Sequence, residues 1–170
     1  MKVLILDSLG SGGNLVSLED GKDKHGHGTI MEKVVLSVNP EADVTSVKIV
    51  DTCGSTTSDL LCSGLVYAWE HEFDIVSISL APHYVSEEVR YWLDTLANEG
   101  VIVCVASGNW FYSTLAKHPS VIAVGALDED GNVAEYTKGW DVLAPGYFKE
   151  ERGTSIACAY YVGLLSKGGD

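Results

Sequence analysis

Basic residues are scarce in this sequence: 11 Lys and Arg stand against 24 Asp and Glu, a formal net charge of −13. A nucleic-acid binder needs a basic face for phosphates, so nucleic acid is not an expected partner. The same deficit argues against docking on an anionic membrane. Long apolar runs are missing too. The longest, such as 101–106, are of strand length, far short of the about 20 residues that cross a bilayer. No membrane partner is expected. The first residues lack the basic, long-apolar and cleavage-site pattern of a secretory signal. Four cysteines, Cys53, Cys62, Cys104 and Cys158, form no CxxC pair and no metal-ligand spacing. Reduced thiols in the cytoplasm are the resulting expectation.

The 170 residues, 46% of them hydrophobic, suffice for one domain around a single core, taken here as residues 1–170. Short β-branched runs at 3–7, 43–50, 74–80, 101–106 and 121–126 alternate with helical periodicity. That alternation predicts an α/β fold of three layers, a doubly wound, mainly parallel β-sheet with helices on both faces. The near-continuous apolar character of the runs fits strands covered on both sides. Met31, Val34, Val35 and Val38 form one stripe of a helix over 30–38. A second helix is predicted over 58–72, capped by Ser58 or Asp59, with Val66 and Trp69 beside its apolar stripe. A third runs over 86–99 from Ser86 to a C′ glycine, Gly100, and a fourth from about Ser155 to Leu165. Residues 8–26 and 107–119 read as loops.

Active sites of such sheets lie at the carboxyl ends of the strands. Asp7 ends the first strand, His27 opens the first helix, and Ser155 opens the last. Taken singly each has an ordinary explanation: a turn-capping Asp, a solvated loop His, an N-cap Ser. Together they supply a nucleophile, the imidazole that takes its proton, and a carboxylate to orient that imidazole. A helix start also offers free N–H groups to an oxyanion. Asn109 ends the strand Val105-Ala106-Ser107-Gly108-Asn109 and offers an amide donor, or alternatively a turn-forming Gly-Asn.

Eight segments now fall into one order. Leu4-Ile5-Leu6-Asp7-Ser8, Gly26-His27-Gly28-Thr29, Val105 to Asn109 and Gly153-Thr154-Ser155-Ile156-Ala157 carry the polar groups. Val47 to Asp51 with Gly54-Ser55, Ser77 to Leu80, Pro119 to Ala126 and Asp141 to Gly146 lie between them. The chain resembles the subtilisin-like serine proteases, the subtilase family, over nearly its whole length, with the Asp, His, Ser order of subtilisin. The resemblance implies a serine endopeptidase that hydrolyses peptide bonds through an acyl-enzyme. Ser155 would be the nucleophile, His27 the general base and Asp7 its orienting carboxylate. Asn109 and the Ser155 N–H would form the oxyanion hole. Ser79-Leu80-Ala81 and Gly54-Ser55-Thr56 would sandwich an extended peptide or protein substrate by strand addition. Ala106, Ser107 and Gly108 would line the pocket for the side chain before the scissile bond, with Trp110 and Phe111 as rim or packing residues. His25, not followed by Gly-Thr, reads as a loop residue.

Several positions depart from the family pattern. Its Asp-Ser/Thr-Gly becomes Asp7-Ser8-Leu9-Gly10, and the small residues after Gly-Thr become Met31, Glu32 and Lys33. Ala159 replaces the proline after the nucleophile. This motivates two alternatives: a non-catalytic peptide-binding module, and a peptide ligase or transpeptidase using the same acyl-enzyme. The calcium loop of many members is absent after the first helix. Glu19, Asp20 and Asp23 read as a solvated acidic loop, so neither metal nor cofactor is expected. With no residues before the Asp7 strand to act as a pro-segment, a separate inhibitor or regulatory partner is an expectation. Shortened loops leave an oligomer open.

Overall fold

The computed structural model describes residues 1–11, 14–16 and 22–168. Among these, seven strands form one sheet and every pairing in it is parallel. In chain order they are β1 (Lys2–Asp7), β2 (Asn14–Val16), β3 (Asp43–Lys48), β4 (Ile75–Ile78), β5 (Ile102–Ala106), β6 (Ile122–Leu127) and β7 (Val142–Pro145). Across the sheet the order is β2-β3-β1-β4-β5-β6-β7. The chain steps from β1 to β3 in one direction, then reverses over β1 to reach β4. Right-handed crossovers running in opposite directions must lie on opposite faces. Accordingly α1 (His27–Val38) covers one face, and α2 (Ser58–Glu70) and α3 (Glu87–Asn98) cover the other. α4 (Thr154–Ser166) joins α1.

The central strand shows how the two cores arise. Leu4 and Leu6 of β1 pack with Leu65, Val89 and Leu93 of α2 and α3, while Val3 and Ile5 pack with Met31, Val34 and Val35 of α1. All of these are at most 1% exposed, so β1 is apolar on both sides until its last residue. That residue, Asp7, lies where the strand order reverses, the crevice position of doubly wound sheets.

Most elements fall where the periodicity places them, and the differences have local causes. β2 lies inside a stretch read as loop, because three residues are too short for alternation to show. β7 lies in Asp141–Gly146, where the hydrophobic pattern gives no strand. α1 begins at His27, the residue expected to open it and four residues before Met31, the first of its apolar stripe. α2 is capped by Thr57, whose hydroxyl accepts the Leu60 N–H, and not by Ser58 or Asp59. Trp69 is 47% exposed and leaves the α2 stripe. Ser86 caps α3, and Gly100 takes a φ of 83° behind it, as expected.

Helices α1 and α4 meet at Gly163, where a Cβ would lie 2.7 Å from Val38 Cβ and 3.1 Å from the Val35 carbonyl oxygen. Alanine at 163 gains about 1 kcal/mol in helix propensity. Forcing two helices apart costs about 1–3 kcal/mol and prevails. Gly163→Ala should therefore lower the urea midpoint at unchanged slope; a raised midpoint would show that the helices separate freely.

Candidate active site

Asp7 is fully buried, while 28% of the His27 side chain remains exposed. The carboxylate is thus out of solvent while the imidazole bonded to it stays partly open. His27 Nδ1 lies 2.9 and 2.8 Å from the two Asp7 oxygens, and the Ser8 N–H donates to Oδ1 at 2.7 Å. An Nδ1 proton shared with a carboxylate leaves Nε2 as the acceptor. Burial works against a charge on His27. The hydrogen bond and charge of Asp7, with Asp23 and Glu151 farther off, outweigh it and raise the imidazole above its ordinary value.

The helix start that carries His27 is held by specific donors and acceptors. Gly26 takes a φ of 92°, in the region that glycine occupies without strain. Gly28 has no room for a side chain, since a Cβ would sit 1.9 Å from the Leu9 carbonyl oxygen. Its N–H donates to Ser8 Oγ at 2.9 Å. Asp23 accepts from the Gly26 N–H, the Thr29 N–H and the Thr29 hydroxyl at 2.7, 2.8 and 2.6 Å. Burial opposes its ionisation, but these bonds hold its carboxyl below the usual range. Asp23 thus satisfies the open end of α1. Glu19 and Asp20 lie outside the described residues, and no group of three metal-ligating side chains occurs among those described.

Ser155 follows a two-stranded hairpin, β8 (Tyr147–Phe148) and β9 (Glu151–Arg152), at the start of α4. Its hydroxyl donates to the Ser79 carbonyl at 3.0 Å, and the Ser79 hydroxyl donates to the Ser155 carbonyl at 3.1 Å. Ser79 in turn lines a cavity of about 320 Å³ with Leu80, Ala81, Gly54, Asp7 and His27. His25, read from sequence as a loop residue, lines it too, as do Val50 and Cys53. Ser55 does not. It closes the adjoining turn by accepting the Asp51 N–H and donating to the Asp51 carboxylate.

Asn109 is turned by a residue that sequence reasoning gave no role. Thr154 donates to Asn109 Oδ1 from its N–H at 3.0 Å and from its hydroxyl at 3.1 Å, while the Gly108 N–H donates to that hydroxyl at 3.2 Å. With Oδ1 engaged twice, Nδ2 is the end left to donate. A Cβ on Gly153 would sit 3.3 Å from Nδ2, so glycine there keeps the space beside the amide open. Ala106, Ser107 and Gly108, expected to line the pocket for the side chain before the scissile bond, are buried. Ser107 Oγ has no hydrogen-bond partner among the described residues.

The model of the subtilase family matches residues 15–165. The chain belongs to the subtilase family. This subtilase is 30% identical over 157 residues to subtilisin amylosacchariticus of Bacillus subtilis subsp. amylosacchariticus, covering 78% of the chain and 41% of that relative. It is 30% identical over 190 aligned positions to subtilisin DY of Bacillus licheniformis, covering 92% of the chain and 69% of the relative. To subtilisin Savinase of Lederbergia lenta it is 26% identical over 170 residues, 85% and 63% of the two chains. The chain therefore spans less than half the length of the first of these relatives. The family match begins after Asp7, so that residue's position comes from β1 and its contact with His27.

A His pKa raised by folding stabilises the folded subtilase most below the unfolded value of about 6.5. That contribution is lost as pH rises through the raised value. Titration of the His27 ring protons by NMR should give a midpoint above 6.5, falling in Asp7→Asn along with this pH dependence. An unchanged midpoint in Asp7→Asn would show that the carboxylate does not hold the proton.

Proposed function

We propose that the chain is a serine endopeptidase acting through Ser155, His27 and Asp7. The observation that carries this reading is the buried Asp7 bonded to Nδ1 of a partly exposed His27, at a cavity whose Ser79 wall holds Ser155. In the reaction Ser155 Oγ attacks the carbonyl carbon of the scissile bond and gives its proton to His27 Nε2. Asp7 stabilises the imidazolium, which then protonates the leaving amine. Water repeats the sequence on the acyl-enzyme and releases the acid. The negative oxygen of each tetrahedral intermediate takes hydrogen bonds from Asn109 Nδ2 and the Ser155 N–H.

An extended peptide or protein is the substrate in this reading, held by main-chain hydrogen bonds between Ser79–Ala81 and Gly54–Thr56. No metal or cofactor takes part in any step. The cytoplasm belongs to the same proposal. It is supported by four cysteines held as free thiols, with burial pushing Cys158 up to about 12 and so keeping it unreactive. Among the described residues no helix is long and apolar enough to cross a membrane.

A second reading, a peptide-binding module without turnover, draws on the Ser155 hydroxyl being bonded to Ser79 and not to His27. A fluorophosphonate separates the two. One adduct mapped to Ser155, absent from Ser155→Ala, is the expected result with peptide cleavage. Folded protein that takes no adduct favours the binding module. Asn109→Leu should cut kcat by about 100- to 1,000-fold. Activity should rise with pH as His27 loses its proton, with a midpoint above 6.5.

A further inference from the structure

Ala106–Gly108 are the wall expected to line the pocket for the side chain before the scissile bond, and Ser79–Ala81 the wall expected to hold the extended chain beside it. A short strap, Trp110–Thr114, ties them together. The Ser113 N–H donates to the Ser107 carbonyl at 2.8 Å, and the Thr114 hydroxyl donates to the His83 carbonyl at 2.8 Å. The Phe111 carbonyl oxygen lies only 2.5 Å from where a Gly108 Cβ would be. The Phe111 ring stacks on His83, two residues past the Ser79–Ala81 wall, with centroids 4.6 Å apart and planes at 29°.

The strap is held by these contacts against a strained backbone. Trp110 sits at a φ of 67°, a conformation that favours glycine over a bulky L-residue. The Trp110 N–H is held by the Tyr136 carbonyl at 2.6 Å. Ser107, whose carbonyl the strap binds, is fully buried, while Ala106 is covered by the core on the α4 side of the sheet. The open cavity of the cleft touches neither of them, nor Gly108.

We propose that the His83–Phe111 stack closes the space between these walls, so that the cleft accepts only a small side chain, alanine or serine, before the scissile bond. The proposal rests on the endopeptidase reading for the direction of the bound chain. Phe111 and His83 are then specificity-determining residues. A benzyl group would have to displace the aromatic pair, whereas a methyl or hydroxymethyl group ends short of it.

The test uses the whole chain carrying Ser155→Ala, so that binding is read without turnover. Two extended peptides, identical except for a C-terminal Ala or Phe, are titrated by calorimetry. The Ala peptide should bind at least about tenfold more tightly, the discrimination that a pocket gives against groups it cannot hold. Adding Phe111→Ala should raise affinity for the Phe peptide at least about tenfold. His83→Ala, at an exposed position, should act in the same direction and decides the matter if Phe111→Ala does not fold. Equal binding of the two peptides, binding of neither, or a ratio unmoved by His83→Ala would overturn the proposal. Cleavage by wild-type chain is followed separately on peptides with Ala or Phe before the cut. Selective binding without cleavage would keep the subsite and remove the endopeptidase reading. Cleavage of both peptides at equal rates would do the reverse.

Discussion

Burying the Asp7 carboxylate is the constraint around which this end of the molecule is arranged. A charge removed from water costs several kcal/mol unless it is paired and hydrogen-bonded. Asp7 reaches that state by sharing the Nδ1 proton of His27 and accepting the Ser8 N–H. Everything that brings His27 to it follows from that need. The strand reversal at β1 opens a crevice there, the Gly26 turn starts α1 beside it, and Gly28 lets the helix start lie against the Leu9 backbone. Ser8 and Asp23 then take the helix's unpaired N–H groups. A larger residue at 28 would push the imidazole away and leave the carboxylate buried without its partner.

The Ser155 end is built on a different principle, a set of reciprocal contacts between α4 and the strand ends. Ser155 and Ser79 exchange hydroxyl-to-carbonyl hydrogen bonds, and Thr154 and Asn109 fix one another's orientation. Ala159 is fully buried, and the α4 start is registered by polar contacts to β4 and β5 ends, not by the stiffness of a proline ring. Turning the amide and setting the helix are one task here, because Thr154 serves both.

The fold was legible because its signals are periodic. Both-sided apolar runs such as Leu4-Ile5-Leu6 can only be interior parallel strands, and the α3 limits were carried by Ser86 and Gly100. Motif spacing likewise drew attention to Asp7, His27, Asn109 and Ser155, since each sits at an element boundary. What stayed hidden depends on side-chain direction and on chain returning from elsewhere. Thr154 has no pattern of its own and takes its role from meeting Asn109. His25 sits in the cleft through its approach to Gly54, across a separation no local pattern reports. Ser107 and Gly108 meet a strap whose sequence, Trp110 to Thr114, gives no sign of where it folds.

The altered residues after Asp7 make sense only when taken together. Leu9 occupies a φ of 104°, a conformation that favours glycine, yet its side chain is fully buried. Strain of about 1–3 kcal/mol is set against burial of a leucine, which contributes about 1.5–3 kcal/mol, so the two nearly cancel. The glycine one place later has its own necessity: a Cβ on Gly10 would sit 1.7 Å from Glu32 Oε2. Glu32 is only 2% exposed, and that oxygen accepts the Ser11 N–H at 2.8 Å. The displaced glycine and the acidic residue on α1 are therefore one coupled change. Gly10 makes room for a carboxylate that anchors the loop leaving β1, and Leu9 carries the strain that this path imposes. Coupling of this kind keeps the Asp7–His27 contact intact while the sequence around it departs from its family.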